Sequence, residues 1–170
     1  MDKMELIQYV VGPISTNCYF GINKDTREMF IVDPGDEAEQ LIDRITLAQV
    51  KPVAILLTHG HYDHVGAAEA LAKEYDIKIY AGKDEAETLD DPRINRTGAY
   101  ADRTPVVFHA DVFLDDEEVI NIAGFDIKVL ATPGHTPGGV CYYIEKENVL
   151  FSGDTLFCNS VGRTDFPRGS

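Results

Sequence analysis

Leu56-Leu57-Thr58-His59-Gly60-His61-Tyr62-Asp63-His64-Val65-Gly66 places three histidines and an aspartate within six consecutive positions. Val53-Ala54-Ile55-Leu56-Leu57 leads into it as a continuous apolar run of the kind a buried strand shows. Val65, Ala68, Leu71, Ala72 and Tyr75 follow it at helical spacing. The cluster therefore belongs on a strand-to-helix loop. Alternate side chains of an extended segment point the same way, so His59 and His61 can converge on one ion, while Asp63 and His64, at the turn into the helix, are carried elsewhere. Two ions fit better than one. Solvation in a polar loop would account for one such histidine, but poorly for three beside an aspartate and two glycines.

Catalytic metal sites need about three protein ligands and an open position, and two-ion sites need a bridging group. Both can come from further along the chain. Thr132-Pro133-Gly134-His135-Thr136-Pro137-Gly138-Gly139 presents an isolated histidine in a Pro/Gly turn after the strand-like Phe125–Ala131. Leu150-Phe151-Ser152-Gly153-Asp154-Thr155-Leu156-Phe157 presents a lone aspartate where another apolar run ends. Alone, Asp154 reads equally well as a turn former; beside the other two motifs it reads as a ligand.

In this order the motifs THGHYDH, TPGHTPGG and FSGDTLF resemble the metallo-β-lactamase superfamily, and SVGRTDFPRG resembles its glyoxalase II-like (hydroxyacylglutathione hydrolase) branch. The resemblance implies an α+β fold, an αββα sandwich of two mixed sheets packed face to face with helices outside. It also implies two zinc ions, with iron or manganese as other occupants. His59, His61 and His135 would hold the first, and Asp63, His64 and a bridging Asp154 the second. Asp63 would be catalytic, orienting activated water, and Asp33, at the end of an apolar strand, would brace the metal loop. The implied activity is hydrolysis of a small thioester. The same ligands suit an iron-dependent sulfur dioxygenase or a diiron oxidoreductase, and an inactive metal-stabilised scaffold is a third reading. The family has a further histidine downstream of the GRTDFP segment, whereas this chain stops at Ser170. From that we expect a domain incomplete at its carboxy terminus, a weaker second site, and apolar surface that favours a homodimer.

Composition narrows the partners. The 170 residues, 44% hydrophobic and 26% charged, suit one domain with a sizeable core. A formal charge of −14 with scattered basic residues argues against nucleic acid. No basic-then-apolar leader and no bilayer-length apolar stretch is evident, which predicts a cytoplasmic protein without membrane partners and weighs against a secreted β-lactamase. Cys18, Cys141 and Cys158 form no CxxC pair and read as buried reduced thiols.

Elsewhere the pattern predicts strands over residues 4–11, 17–22 and 29–33 as a meander, then a helix through Ala38, Leu41, Ile42 and Ile45. Beyond the metal loop it predicts a strand over 77–81 and a short helix over 84–89. Residues 90–104 read as a surface excursion near the site mouth, with Tyr100 and Arg103 more readily solvated than touching substrate. A second strand set covers 119–122, 125–131, 139–144 and 149–152. His109 is read as structural, and Arg163 as a surface ion pair.

Overall fold

A computed structural model describes residues 2–170. β1 (Met4–Val11), β2 (Thr16–Asn23) and β3 (Glu28–Val32) form the expected antiparallel meander. The chain then adopts crossovers. α1 (Ala38–Ala48) leads to β4 (Lys51–Leu56), and α2 (Tyr62–Val65) and α3 (Ala68–Tyr75) lead to β5 (Lys78–Gly82). α4 (Ala86–Asp90) and a long excursion lead to β6 (Val112–Leu114). β3 to β6 pair in parallel, so the first sheet is mixed, in the order β1-β2-β3-β4-β5-β6.

The second sheet contains β7 (Val119–Ile122), β8 (Phe125–Ala131), β9 (Val140–Ile144) and β10 (Val149–Phe151), in the order β10-β9-β8-β7. The expectation that it too would be mixed is corrected: every pairing in it is antiparallel. Its strands are joined by short connections without crossover helices, and such connections link antiparallel neighbours. β11 (Leu156–Phe157) and β12 (Ser160–Val161) make a small separate hairpin.

Strand alternation divides the apolar residues into two cores. Met29 and Ile31 of β3 and Ile55 of β4 face a cluster that includes Leu41 and Ile45 of α1, Val65 of α2, Leu71 of α3 and Leu89 of α4. Phe30, Val32 and Leu56 face the other way, against Ile127, Val129, Tyr142 and Phe151 of the second sheet. The result is an α+β sandwich. Phe30 meets Phe125 and Phe151 edge-on, with centroids 6.1 and 5.7 Å apart. Its ring lies over Gly21, its cross-strand partner, where any Cβ would come within 2.2 Å of the ring, and this is why that strand position is glycine. Among the described residues, no helix is long and apolar enough to cross a membrane.

Two polar ties lock the sheets together at the end that carries the histidines. The buried Tyr142 hydroxyl donates to the Leu57 carbonyl at 2.7 Å, and the Val140 N–H donates to the Thr58 carbonyl at 2.8 Å. Both fall at the start of the metal loop, so the loop is fixed to both sheets before its first histidine.

Candidate metal centre

The strand-to-helix switch falls where the ligands divide. His61 is still extended, at φ −67° and ψ 143°, and caps α2, whose first turn contains Asp63 and His64. His59 and His61 thus leave the loop on the strand side, and Asp63 and His64 leave it on the helix side. His135 and Asp154 arrive from the loops after β8 and β10.

These residues gather into two groups. Ligand atoms of His59, His61 and His135 lie within 4.8 Å of one another, and so do those of Asp63, His64 and Asp154. Asp154 touches both groups: its Oδ1 lies 3.2 Å from His64 Nε2, and its Oδ2 lies 3.3 Å from His135 Nε2 and 3.8 Å from His59 Nε2. Asp33, His59 and His64 meet the same distance criterion. The Asp33 carboxylate is already engaged, however: Oδ1 accepts from the Thr58 N–H at 2.8 Å, while Oδ2 accepts from the Thr58 hydroxyl at 2.5 Å and faces His64 Nδ1 at 2.9 Å. Asp33 sits under the site as a brace. His109 is exposed, and so is Cys158, which corrects the expectation of a buried thiol there: it lies in the small hairpin outside both sheets; neither residue belongs to these groups.

The electrostatics suit a cation. Burial, reinforced by the neighbouring histidines, holds His59 well below the ordinary imidazole value and brings His61 down to about 3, so both are neutral at pH 7. His59 Nε2 and His61 Nε2 are buried without a hydrogen-bond partner, which costs roughly 1–3 kcal/mol apiece unless something coordinates them. Burial opposes charge on His64 as well, but Asp33, Asp154 and Asp63 outweigh it and raise that pKa well above the usual value. Burial likewise works against the Asp154 carboxylate, yet His135 and His64 keep it ionised far below the ordinary range. Neutral imidazole nitrogens beside ionised carboxylates are a donor set for a divalent metal.

A residue the sequence reading did not single out holds the two ligand loops together. Glu85, fully buried, accepts from Gly60 N–H at 2.7 Å through Oε1, and from the Thr136 hydroxyl at 3.0 Å and Gly138 N–H at 2.9 Å through Oε2. It thereby sets His61 against His135, whose Nδ1 and Nε2 lie 3.0 Å apart. Gly138 permits the contact, because a Cβ there would stand 2.0 Å from the Glu85 nitrogen. Burial raises the Glu85 pKa to about 7 against these three donors. The folded state then binds this proton more tightly than the unfolded state, so the stability it contributes is present below about pH 4.5 and lost as pH rises through about 7. In Glu85→Gln an amide nitrogen must face one of those N–H or O–H donors, and we expect a loss of roughly 1–3 kcal/mol. Because glutamine does not titrate, the pH dependence should flatten. Urea unfolding of both metal-free proteins at pH 5 and pH 8 measures this, with the larger difference between them expected at pH 5.

Sequence comparison agrees with the geometry. The sequence model of the metallo-beta-lactamase superfamily matches residues 11–170, and the chain belongs to that superfamily. It is 37% identical to hydroxyacylglutathione hydrolase GloC of Haemophilus influenzae over 94% of this chain and 75% of that protein. The crystal structure of BLEG-1 B3 metallo-beta-lactamase superposes with a TM-score of 0.90 at 44% identity, covering 97% of this chain and 79% of that one. TTHA1623 in a di-iron-bound form gives 0.79 at 30% identity, over 96% and 79%.

Proposed function

We propose that this chain is a metal-dependent thioester hydrolase of the hydroxyacylglutathione hydrolase type, with zinc as its ion. The observation that carries hydrolysis is the Asp154 carboxylate, which reaches both ligand groups at once. The choice of a thioester is supported by the relative GloC.

His59, His61 and His135 would hold one ion, and Asp63, His64 and Asp154 the other. Divalent ions bound there would supply what these side chains lack, a strong nucleophile drawn from water at neutral pH and Lewis acidity toward a carbonyl. Asp63 would orient that water and take its proton. The Thr16 hydroxyl donates to Asp63 Oδ2 at 2.7 Å and His64 Nε2 lies 3.2 Å from the same oxygen, contacts that restrain the carboxylate. Hydrogen bonds from His64 and Thr16 overcome burial and keep Asp63 ionised at neutral pH. Phe166 packs edge-on against His61 and His135, with centroids 5.3 and 5.6 Å away, and shields them from bulk water. No side-chain nucleophile is required: Cys18 and Cys141 are buried, and burial pushes the Cys18 thiol out of reach of ionisation.

Thiol release from S-lactoylglutathione by the zinc-loaded protein tests the reading, with a penicillin and an RNA as comparison substrates. Turnover of the thioester alone is expected. Penicillin cleavage without thioester turnover would move the chain toward its BLEG-1 neighbour, and elemental analysis showing iron rather than zinc would favour the oxidoreductase reading.

The two sites should also differ in affinity. Three imidazoles, two of them already neutral at pH 7, face one ion, whereas the other must displace the proton that His64 holds. Calorimetric titration with zinc should therefore resolve a tighter and a weaker event. His61→Ala should remove the tighter one.

A further inference from the structure

A cavity of about 390 Å³ opens over the metal centre, with His61, His135 and Asp154 at its floor. Its lining combines apolar side chains, Ile14, Phe157 and Val161, with Arg96, Tyr100 and Arg163. The arginines differ in what they meet. Arg163 is forked onto Asp165, with both contacts at 2.6 Å, and outside the cavity Arg93 is bound to Asp91. Arg96 has no carboxylate partner among the described residues, although the chain carries 29 acidic side chains against 15 basic ones. Its guanidinium lies 4.4 Å from the Phe166 ring centroid, and its Nε is buried without an acceptor. Arg103 lines the neighbouring cavity rather than this one and also has no carboxylate within ion-pair distance among the described residues; it lies 4.0 Å over Tyr62, which lines both cavities, and 5.8 Å from the Tyr100 ring, against 5.6 Å for Arg96.

Arg96 is not on a loose loop. The fully buried Asn95 donates to the Leu89 and Val106 carbonyls and accepts from both Thr97 N–H and Thr97 hydroxyl. Its own carbonyl accepts from Tyr62 N–H at 2.9 Å, inside the metal loop. The Arg96 backbone is thus tied to the loop that carries His61 and Asp63.

We infer that Arg96, assisted by Arg103, anchors a carboxylate of the substrate, so that the thioester taken by this site is a small monoanion with an apolar portion. This rests on the thioesterase reading and names its substrate class. A planar guanidinium with an unmatched N–H pairs with a carboxylate through parallel hydrogen bonds. A polyanionic carrier such as a nucleotide-bearing thiol is disfavoured, because the net charge of −14 repels it over a longer range than two arginines can offset. The aromatic contacts hold the cations in place while leaving their N–H groups for the ligand.

The test compares the thioester S-acetyl mercaptopropionate with its carboxamide, which differs only in charge and one heavy atom, using zinc-loaded protein. The acid should be preferred by about tenfold or more in kcat/KM, chiefly through KM, the size expected of one charge-assisted pair. Arg96→Gln should erase most of that preference and Arg103→Gln part of it. Arg93→Gln, whose guanidinium is already paired outside the cavity, should leave it unchanged. Equal kcat/KM for the two thioesters in the unmodified protein would overturn the anchor, and so would an equal loss on both in Arg96→Gln. If neither of these nor S-lactoylglutathione is cleaved, the thioesterase reading fails while the anchor is still testable; turnover of S-lactoylglutathione alone would overturn the small-monoanion class. Calorimetry would then compare free mercaptopropionate with mercaptopropionamide on the zinc-loaded protein, and equal affinities would overturn it.

Discussion

Asp154→Ala is expected to lower kcat/KM roughly a thousandfold, about 4 kcal/mol of transition-state stabilisation, and to reduce bound metal from two ions per chain to one. The carboxylate meets both ligand sets, with Oδ1 on His64 and Oδ2 on His135. Its removal would take a ligand from the Asp63/His64 set and a carboxylate contact from the histidine set, and the set left with Asp63 and His64 alone should empty first. His64 should respond too. Its raised pKa depends in part on Asp154, so the variant's His64 titrates closer to an ordinary imidazole, and NMR of the metal-free proteins would show the downward shift. Metal content by elemental analysis and turnover are to be measured on the same preparation. Two ions and full activity in the variant would return Asp154 to the role of a turn residue at the end of β10.

What the sequence made readable depends on how local the chemistry is. The loop from His59 to His64 carries four of its polar groups in one stretch, and the change from extended to helical backbone at His61 could be anticipated from the flanking apolar periods. The strands of the second sheet were legible for the same reason, since Phe125, Ile127 and Val129 are buried while Asp126, Lys128 and Leu130 between them are more open. Glu85 was not legible. In a chain with 29 acidic residues it looked like one more charge on a short helix, and only the approach of Gly60 and Gly138, which lie 25 and 53 positions away in sequence, reveals it. Arg96 was missed similarly, because its value lies in lacking a partner, and that is a property of space. β6 was also missed: Val112–Leu114 is too short to stand out and is a strand because β5 offers it a parallel edge. The helix after the metal loop is continuous in its apolar pattern yet splits into α2 and α3 around Gly66 and Ala67, where the Pro34 carbonyl accepts the Ala67 N–H.

The brace under the site supports the other large prediction. Asp33 adopts a left-handed backbone, φ 50°, a conformation that asparagine tolerates nearly as well, so Asp33→Asn should fold. What changes is the proton. Asp33 Oδ2 can only accept, so His64 Nδ1 must be the protonated nitrogen and Nε2 is the one aimed at Asp63 and Asp154. With asparagine keeping its oxygen on Thr58 N–H, an amide N–H₂ would face His64 Nδ1. The imidazole then relieves the clash by accepting there, which puts its proton on Nε2, where a metal must bind. Affinity at the second site should fall about 10–100-fold, the usual scale for losing such a support, and kcat should fall with it while the His59/His61/His135 site keeps its affinity. The metal-free variant should lose stability most at acid pH. His64 has a raised pKa in the fold, so the stability its proton confers is fully present below the ordinary value of 6.5 and fades as pH rises through the folded pKa; weakening the Asp33 partner removes that acid-side contribution. Zinc titration resolved into two events, in Asp33→Asn and in the unmodified protein, separates the outcomes: a selective loss of the weaker event supports a tautomer lock, whereas equal loss at both sites would show that Asp33 only holds the loop in shape.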